Sequence, residues 1–540
     1  MISPSPEQEE CIAYNGSCAI TARPGSGKTF CLSRKIIASQ KASLPYQGVI
    51  AISYTNKASE ELEERCRRMG YANSYSFFGT IDRFCLSQII FPFARHCFGD
   101  IPRLEVVDEP SDDREYMAEL SEATDETSNQ TVLLVKKALH EGVIPLNAIG
   151  IIALVILAST SQCKRYLKAR YSRFFVDEYQ DCGVIQHKIV LQLVELGITG
   201  SVVGDVDQAI FGFAGKSPDF LKSLIQDDRF KHFEITENRR CDKSIVAYSL
   251  RLLGIDSHQI PPQDDIRIFV PHIDGDEQSV SRAIADYLPK IMKKYSVEHF
   301  NQVAVLARSG KSLDRFAKYC GRPCRLYERT CLDDSYSIPK TMFKEILQLR
   351  FSKPLIWPFV DMQLGETAST RAKRAAYEDI RNLAETPAEQ LASKIDEFKA
   401  LAVRLSGTLP NNDDLTALEE TLNDVYKLKN AYAPADESEV NCLTYHKAKG
   451  LEFDIVFCLD CYEYILPGYD PSQFQQDLCL FYVGVTRAKQ ACYIPQGTFR
   501  HNAKGECKKA SRSSFLSLNG VNEMSHSPHW ASISNEIFIP

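Results

Sequence analysis

Ile20-Thr21-Ala22-Arg23-Pro24-Gly25-Ser26-Gly27-Lys28-Thr29 sets an apolar lead-in before a loop of small residues that closes on Gly-Lys-Thr. This stretch reads as a phosphate-binding loop. Gly25 and Gly27 let consecutive backbone N–H groups turn inward around a phosphate, and Lys28 supplies a point charge for its outer oxygens. The Thr29 hydroxyl can ligate Mg²⁺, and the helix expected from Lys28 to about Ala38 aims its positive end at the same anion. The first position of such loops is usually glycine and here is Ala22. Ala22, Arg23, Pro24, Gly25, Ser26, Gly27, Lys28 and Thr29 are therefore candidate nucleotide contacts.

Upstream, Ser3-Pro4-Ser5-Pro6-Glu7-Gln8 has the serine and prolines of a helix start. Downstream, Gly48-Val49-Ile50-Ala51-Ile52-Ser53 is an apolar run of strand length. It leads through Tyr54-Thr55-Asn56-Lys57-Ala58 into a charged helix, Ser59 to Arg68. Strand, phosphate loop, helix and second buried strand make a βαβ unit, which implies a parallel sheet with ligands at the carboxyl ends of its strands. Phe78-Gly79-Thr80-Ile81-Asp82 is a third turn of this kind.

From about Phe84 to Tyr171 the rhythm becomes helical, so an insertion is expected there. The sheet resumes with Arg173-Phe174-Phe175-Val176-Asp177-Glu178-Tyr179-Gln180-Asp181, an apolar strand ending in adjacent carboxylates. Asp177 can bind the Mg²⁺ that Thr29 also ligates, and Glu178 can polarise an attacking water. Ser201-Val202-Val203-Gly204-Asp205-Val206-Asp207-Gln208 is a second such strand, with Phe211 and Phe213 just beyond.

These blocks resemble, in order and spacing, the UvrD/Rep/PcrA helicases of superfamily 1, and the match continues downstream. Thr236-Glu237-Asn238-Arg239-Arg240 resembles their fourth motif, and Val303 to Arg308 a strand of their second motor domain. Thr444-Tyr445-His446-Lys447-Ala448-Lys449-Gly450-Leu451-Glu452-Phe453 resembles the fifth motif, and Tyr482 to Lys489 the sixth. The resemblance implies an α/β fold of two RecA-like, parallel-sheet P-loop motor domains with mainly helical insertions. The expected division is a first motor domain at 1–84 and 165–235, interrupted by a helical insertion at 85–164. A second motor domain follows at 236–340 and 436–523, interrupted by a reduced helical insertion at 341–435, with a tail at 524–540.

In this family the two domains sandwich one ATP with Mg²⁺. By resemblance, Arg240 and Arg487 stabilise charge on the transferring phosphoryl group and Gln208 reports its presence. Glu452 contacts the ribose and Gln8 reads the adenine edge. Tyr54, Phe211, Phe213 and His446 face DNA, and Thr55, Asn56, Thr80 and Thr444 hold its phosphates. The family also clasps the adenine between an arginine just after Gly-Lys-Thr and a tyrosine in the fourth motif. Here those positions are Phe30 and Arg239, an apparent exchange of ring and guanidinium. Ala214 and Asp82 stand where the family has arginine and histidine, and Leu478-Cys479 replaces arginines ahead of the sixth motif. The segment Gln496 to Lys509 falls where the family carries a β-hairpin, with Phe499 or His501 expected at its tip.

Composition limits the remaining choices. A net charge of −7 argues against a protein that coats duplex DNA electrostatically, though not against a local groove for a single strand. Eighteen cysteines without the spacing of a disulfide framework, and no opening signal segment, point to a cytoplasmic protein. Cys320-x-x-x-Cys324 and Cys458-x-x-Cys461 have zinc-like spacing, but Cys458 ends an apolar run where a buried thiol is the commoner state. The apolar run Ala148 to Ala158 is too short for a bilayer and reads as a buried helix, so no membrane partner is expected.

Two functions stay open: a 3′–5′ single-stranded DNA translocase or helicase acting on single-stranded or tailed duplex DNA, and a DNA-activated NTPase sensor in a defence complex. The chain also resembles the short helicase subunit of the Gabija anti-phage system, which implies an OLD-family nuclease as partner. A small-molecule kinase is disfavoured, because it needs no second domain supplying arginines and aromatic rows.

Overall fold

The computed structural model describes residues 3–530 apart from 41–42, 55, 74, 108–114, 211, 213–214, 256–260, 334–336, 353–355, 365–367 and 503–504. It is built on two parallel sheets. The first has six strands in the spatial order Phe77–Gly79, Gly48–Ile52, Tyr171–Val176, Thr199–Gly204, Cys18–Ala22 and Lys231–Ile235. Every neighbouring pair in it is parallel. Its strands are apolar along most of their length because both faces are covered. Alternation sorts their side chains. Ile50, Ile52, Phe174 and Val202 point into one core, and Val49, Ala51, Phe175 and Val203 into the other.

The second of these cores is filled by Leu32 and Ile36 of the phosphate-loop helix, Lys28–Gln40. The first insertion fills the other. Its helix Ile149–Ser159 is apolar on every side, and eight of its residues, Ile149 and Ile151 to Leu157, are buried. At about 1.5–3 kcal/mol for each fully buried Ile, Leu or Val, burial rather than capping holds this helix in place. The first insertion therefore shares one continuous core with the motor sheet. It also contains a small parallel pair, Glu105–Val107 with Val143–Pro145. Among the described residues no single helix is long and apolar enough to cross a membrane.

The second sheet runs Cys324–Leu326, Val440–Thr444, Val303–Ala307, Phe453–Cys458, Ala488–Tyr493 and Ile268–Phe269, again all parallel. Helix Phe474–Val485 packs on one face, and helices Glu277–Lys294 and Gly310–Cys320 pack on the other. The second insertion, helices from Ile338 to Tyr432, is organised differently from the first. It has a core of its own, centred on Phe343, Leu347, Phe398, Leu401 and Leu418.

Two expectations are corrected here. Part of the tail, residues 526–530, extends the second sheet at its edge: the His526 N–H donates to the Ile268 carbonyl and the Val270 N–H to the His526 carbonyl. The hairpin exists, with Phe499–His501 against Cys507–Lys509, and pairing continues past His501, where the Asn502 N–H donates to the Glu506 carbonyl at 3.0 Å. Phe499 pairs with Lys509 at the base. His501 is locked by Glu277, which accepts from its N–H and binds its Nδ1, both at 2.8 Å. Neither residue is the tip, because the reversal lies beyond them, with Gly505 at φ 81° and its N–H donating to the Asn502 carbonyl.

Candidate nucleotide and nucleic-acid site

The phosphate loop joins strand Cys18–Ala22 to helix Lys28–Gln40. Gly25 and Gly27 have φ of 73° and 79°, a region open chiefly to glycine. A Cβ on Gly25 would also stand 2.5 Å from Asn238 Oδ1. That crowding has a purpose, since Asn238 Nδ2 donates to the Pro24 carbonyl at 2.7 Å and the Arg239 N–H to the Gly25 carbonyl at 2.9 Å. The 238–239 segment thus holds the outside of the loop, a role the sequence did not assign to Asn238.

At the neighbouring strand end the Thr29 hydroxyl lies 3.3 Å from Asp177 Oδ2. Two oxygens sharing an octahedral Mg²⁺ at 2.0–2.1 Å would be about 3 Å apart, so this donor pair fits the ion. Glu178, next along, is a non-glycine residue in the left-handed region, φ 52° and ψ 44°. Such strain costs about 1–3 kcal/mol and gathers at functional sites. Gln180 Nε2 donates to Glu178 Oε2 at 2.5 Å.

Electrostatics then separates the pair. Burial, with the Glu178 charge beside it, pushes the Asp177 carboxyl up. Burial acts on Glu178 in the same sense, but Lys28, Lys449, the Gln180 amide and Arg487 outweigh it and hold that carboxyl down. Glu178 therefore stays ionised at neutral pH. Of its three cations, one comes from the phosphate loop and two from the second motor domain.

Lys449 crosses the cleft: its Nζ donates to Asp181 Oδ2 at 2.6 Å and to the Gln208 carbonyl at 2.9 Å. The sequence placed Lys449 in a motif without giving it a task. Its signal was its position between His446 and Gly450, but a partner 268 residues away is visible only in the fold. Arg487, 1% exposed, extends from the end of helix Phe474–Val485. It donates to the Val483 and Leu451 carbonyls at 3.0 and 3.1 Å and to Gln208 Oε1 at 3.4 Å. Burial, with Arg240 nearby, lowers the Arg487 guanidinium to about 10, so it remains charged. Gln208 in turn donates to Asp205 Oδ2 at 2.7 Å. Arg240 forms an ion pair with Glu452, both on the second-domain side of the cleft.

The candidate base contacts behave less uniformly. Gln8 is buried with both ends of its amide in use: its Oε1 accepts from the Ser5 N–H at 2.9 Å, and its Nε2 donates to the Ser26 carbonyl at 2.7 Å. It buttresses the loop in this geometry instead of facing outward. Phe30 is half-buried with the Arg34 guanidinium 5.3 Å from its ring. Arg239 pairs with Glu237 and donates to the Ser3 carbonyl at 2.6 Å.

Tyr54 and Thr80 line a cavity of about 1470 Å³ that also reaches Asp177, Glu178 and Asp181. Asp82 faces the same space, and burial raises its carboxyl. The second insertion closes over one side, where Arg83 Nη2 lies 3.4 Å from Gln363 Oε1. Thr80 and Thr444 use their hydroxyls to cap the turns that follow, accepting from the Arg83 and Lys447 N–H groups at 3.4 and 3.3 Å. His446 is driven towards its neutral form by burial, then by Arg308. Thr55, the side chain of Asn56, Phe211, Phe213 and Ala214 lie outside the described residues. Cys458 and Cys461 are buried; burial pushes the Cys461 thiol well up, which disfavours the thiolate that zinc requires.

Residues 8–214 match a family described as an AAA domain, and residues 359–496 match the UvrD-like helicase C-terminal domain. The Gabija protein GajB of Bacillus cereus strain VD045 is 26% identical, over 90% of this chain and 94% of its own. The ATP-dependent DNA helicase UvrD1 of Mycobacterium leprae is 24% identical over 92% of this chain and 83% of its own. The ATP-dependent DNA helicase PcrA of Staphylococcus epidermidis is 21% identical over the same shares. Two parallel-sheet domains, a glycine-turned phosphate loop facing two arginines across a cleft, and matches in both halves make this chain similar to the UvrD-like helicases, with the UvrD-like helicase C-terminal domain matched over residues 359–496.

Proposed function

We propose that the chain is an ATP-driven, 3′–5′ translocase on single-stranded DNA, with hydrolysis at the cleft between the two parallel sheets. The observation that carries this reading is Glu178, a half-buried, ionised carboxylate at the end of a strand of the first sheet, set among Lys28 and the second domain's Lys449 and Arg487. A base facing cations from both halves has a use where closure of the cleft and cleavage of a phosphoanhydride are one event.

In this mechanism the loop from Ala22 to Thr29 holds the phosphates through its backbone and Lys28, and Thr29 and Asp177 would hold a Mg²⁺ that supplies countercharge to them. Glu178 takes a proton from the attacking water, and Arg487 with Arg240 meets the charge that develops on the phosphoryl oxygens. Release of that charge reaches DNA through Gln208, whose side chain touches Arg487 and whose carbonyl is held by Lys449. The cavity that holds Glu178 also holds Tyr54 and Thr80, so strand and phosphate sites adjoin. Tyr54, Phe211, Phe213 and His446 would stack on bases without reading them, with Thr55, Asn56, Thr80 and Thr444 along the backbone.

Single-stranded DNA is expected to raise ATP turnover severalfold, and strand displacement on a tailed duplex then separates two outcomes. Displacement by the chain alone supports a helicase. DNA-stimulated hydrolysis without displacement, gained or redirected when co-purified proteins are present, supports a sensor subunit of an anti-phage complex that controls a nuclease of the OLD family. The match to 94% of GajB, against 83% of UvrD1, favours giving that second reading equal attention. Turnover indifferent to DNA would overturn both.

The base contacts yield a separate expectation. Phe30 and Arg239 can each stack on a purine, one as a ring and one as a planar cation, giving the adenine clasp with its two sides exchanged. Phe30→Ala and Arg239→Ala should each raise the Michaelis constant for ATP severalfold, and the exchange Phe30→Arg with Arg239→Tyr should restore it. Stacking reads no hydrogen-bond pattern, so selection for adenine would depend on Gln8, and GTP should be partly accepted. An unchanged Michaelis constant in both single variants would dismiss the clasp.

A further inference from the structure

Just beyond the edge strand Ile268–Phe269 of the second sheet, His272-Ile273-Asp274, whose first two residues pair with Gln496–Gly497, runs beside Pro528-His529-Trp530. The His272 N–H donates to the Pro528 carbonyl at 2.8 Å and the Trp530 N–H to the His272 carbonyl at 2.9 Å, which sets His272 and His529 side by side. Trp530 turns inward and stacks on Tyr287, with centroids 4.4 Å apart and planes at 7°. Its neighbour His529 must then face out. Alternation along the other stretch buries Ile273 and exposes His272 and Asp274 on the same side.

The result is a trio of donors with metal-like spacing. His529 Nε2 lies 3.2 Å from Asp274 Oδ2, and His272 Nε2 lies 3.7 Å from Asp274 Oδ1. One donor atom from each of the three residues lies within 4.8 Å of the others. Ligands arranged tetrahedrally at 2.0–2.1 Å from zinc stand about 3.4 Å apart, so small side-chain rotations would close this set on one ion. Both imidazoles present Nε2, leaving Nδ1 to carry the proton of the neutral ligand. A second trio, Asp276, Glu277 and His501, is already committed. Asp276 accepts from the Gln278 and Ser279 N–H groups, and Glu277 is taken by Arg315 at 2.6 Å and by His501.

We propose that His272, Asp274 and His529 bind one zinc ion, with a fourth position open to solvent, and that the ion clamps residues 526–530 to the edge of the second motor sheet. Binding to the folded arrangement alone would stabilise that edge by linkage. The site is remote from the nucleotide residues and does not depend on their assignment.

Equilibrium dialysis of the full chain against zinc chloride tests this. The expected result is about one equivalent bound, weakened at least about tenfold by His529→Ala and by His272→Ala, and unchanged by Cys507→Ser, which removes an exposed thiol. The side chains of His272 and His529 are about half exposed, so their removal leaves the core intact. Cobalt in place of zinc should show ligand-field bands without thiolate charge transfer, and zinc should slow hydrogen exchange at the His272 and Trp530 amides in the wild type but not in His529→Ala. Absence of stoichiometric binding, binding indifferent to both histidine variants, or a thiolate-type cobalt spectrum would each overturn the proposal.

Discussion

Glu178→Gln is expected to lower ATP turnover by about 10²–10⁴-fold while leaving nucleotide affinity within a few-fold of wild type. The amide keeps the size of the side chain but cannot accept a proton from water. Glu178 is held ionised, against its burial, by Lys28, Lys449, the Gln180 amide and Arg487, so the wild-type base is ready at neutral pH and its loss is not masked by protonation. The change also removes a negative charge from among cations, which should if anything tighten binding of the anionic nucleotide. Lys28→Ala is the complementary variant, since it removes a phosphate contact and should weaken binding as well as turnover. Measuring binding with a fluorescent nucleotide beside steady-state hydrolysis separates the two. Near-wild-type turnover in Glu178→Gln would refute the assignment of the base.

Arg487→Ala should cost about 10³–10⁵-fold in turnover, the range seen where an arginine meets a transferring phosphoryl group. Its guanidinium is buried yet charged and makes four hydrogen bonds, to the Val483 and Leu451 carbonyls, Gln208 and Thr486. Removing it also takes a donor from the Leu451 carbonyl, whereas the Val483 carbonyl keeps the Thr486 hydroxyl. Arg487→Lys is therefore the better-controlled change: it keeps the charge and much of the volume but loses the planar fork. Turnover should fall in both variants, with nucleotide and single-stranded DNA binding preserved in Arg487→Lys. DNA-stimulated hydrolysis persisting in either, in protein that melts like wild type, would exclude Arg487 from the reaction.

The two predictions draw on different kinds of information. Lys28, Thr29, Asp177 and Glu178 could be read from the chain because each lies in a run of neighbours that itself builds the local geometry. A strand must end before a loop can turn, positive φ needs glycine at positions 25 and 27, and adjacent carboxylates at a strand end have few other uses. The buried character of Ile149 to Ser159 was readable for the same reason, since an all-apolar helix too short for a bilayer has only a protein core to enter.

Other relations were decided by packing between segments far apart in sequence, and no local pattern encodes them. Lys449 meets Asp181, Asn238 props the phosphate loop, and His529 comes beside His272, each through a contact spanning more than 200 residues. The hairpin tip was misplaced because strand pairing, not residue type, determines where a turn closes. That Gln8 also ties Ser5 to Ser26 of the phosphate loop was not legible either, because a buried amide takes the backbone partners the fold supplies. Side-chain chemistry is a property of the residue and survives in the sequence, whereas the choice of partner depends on which surfaces the packed core brings within hydrogen-bonding distance.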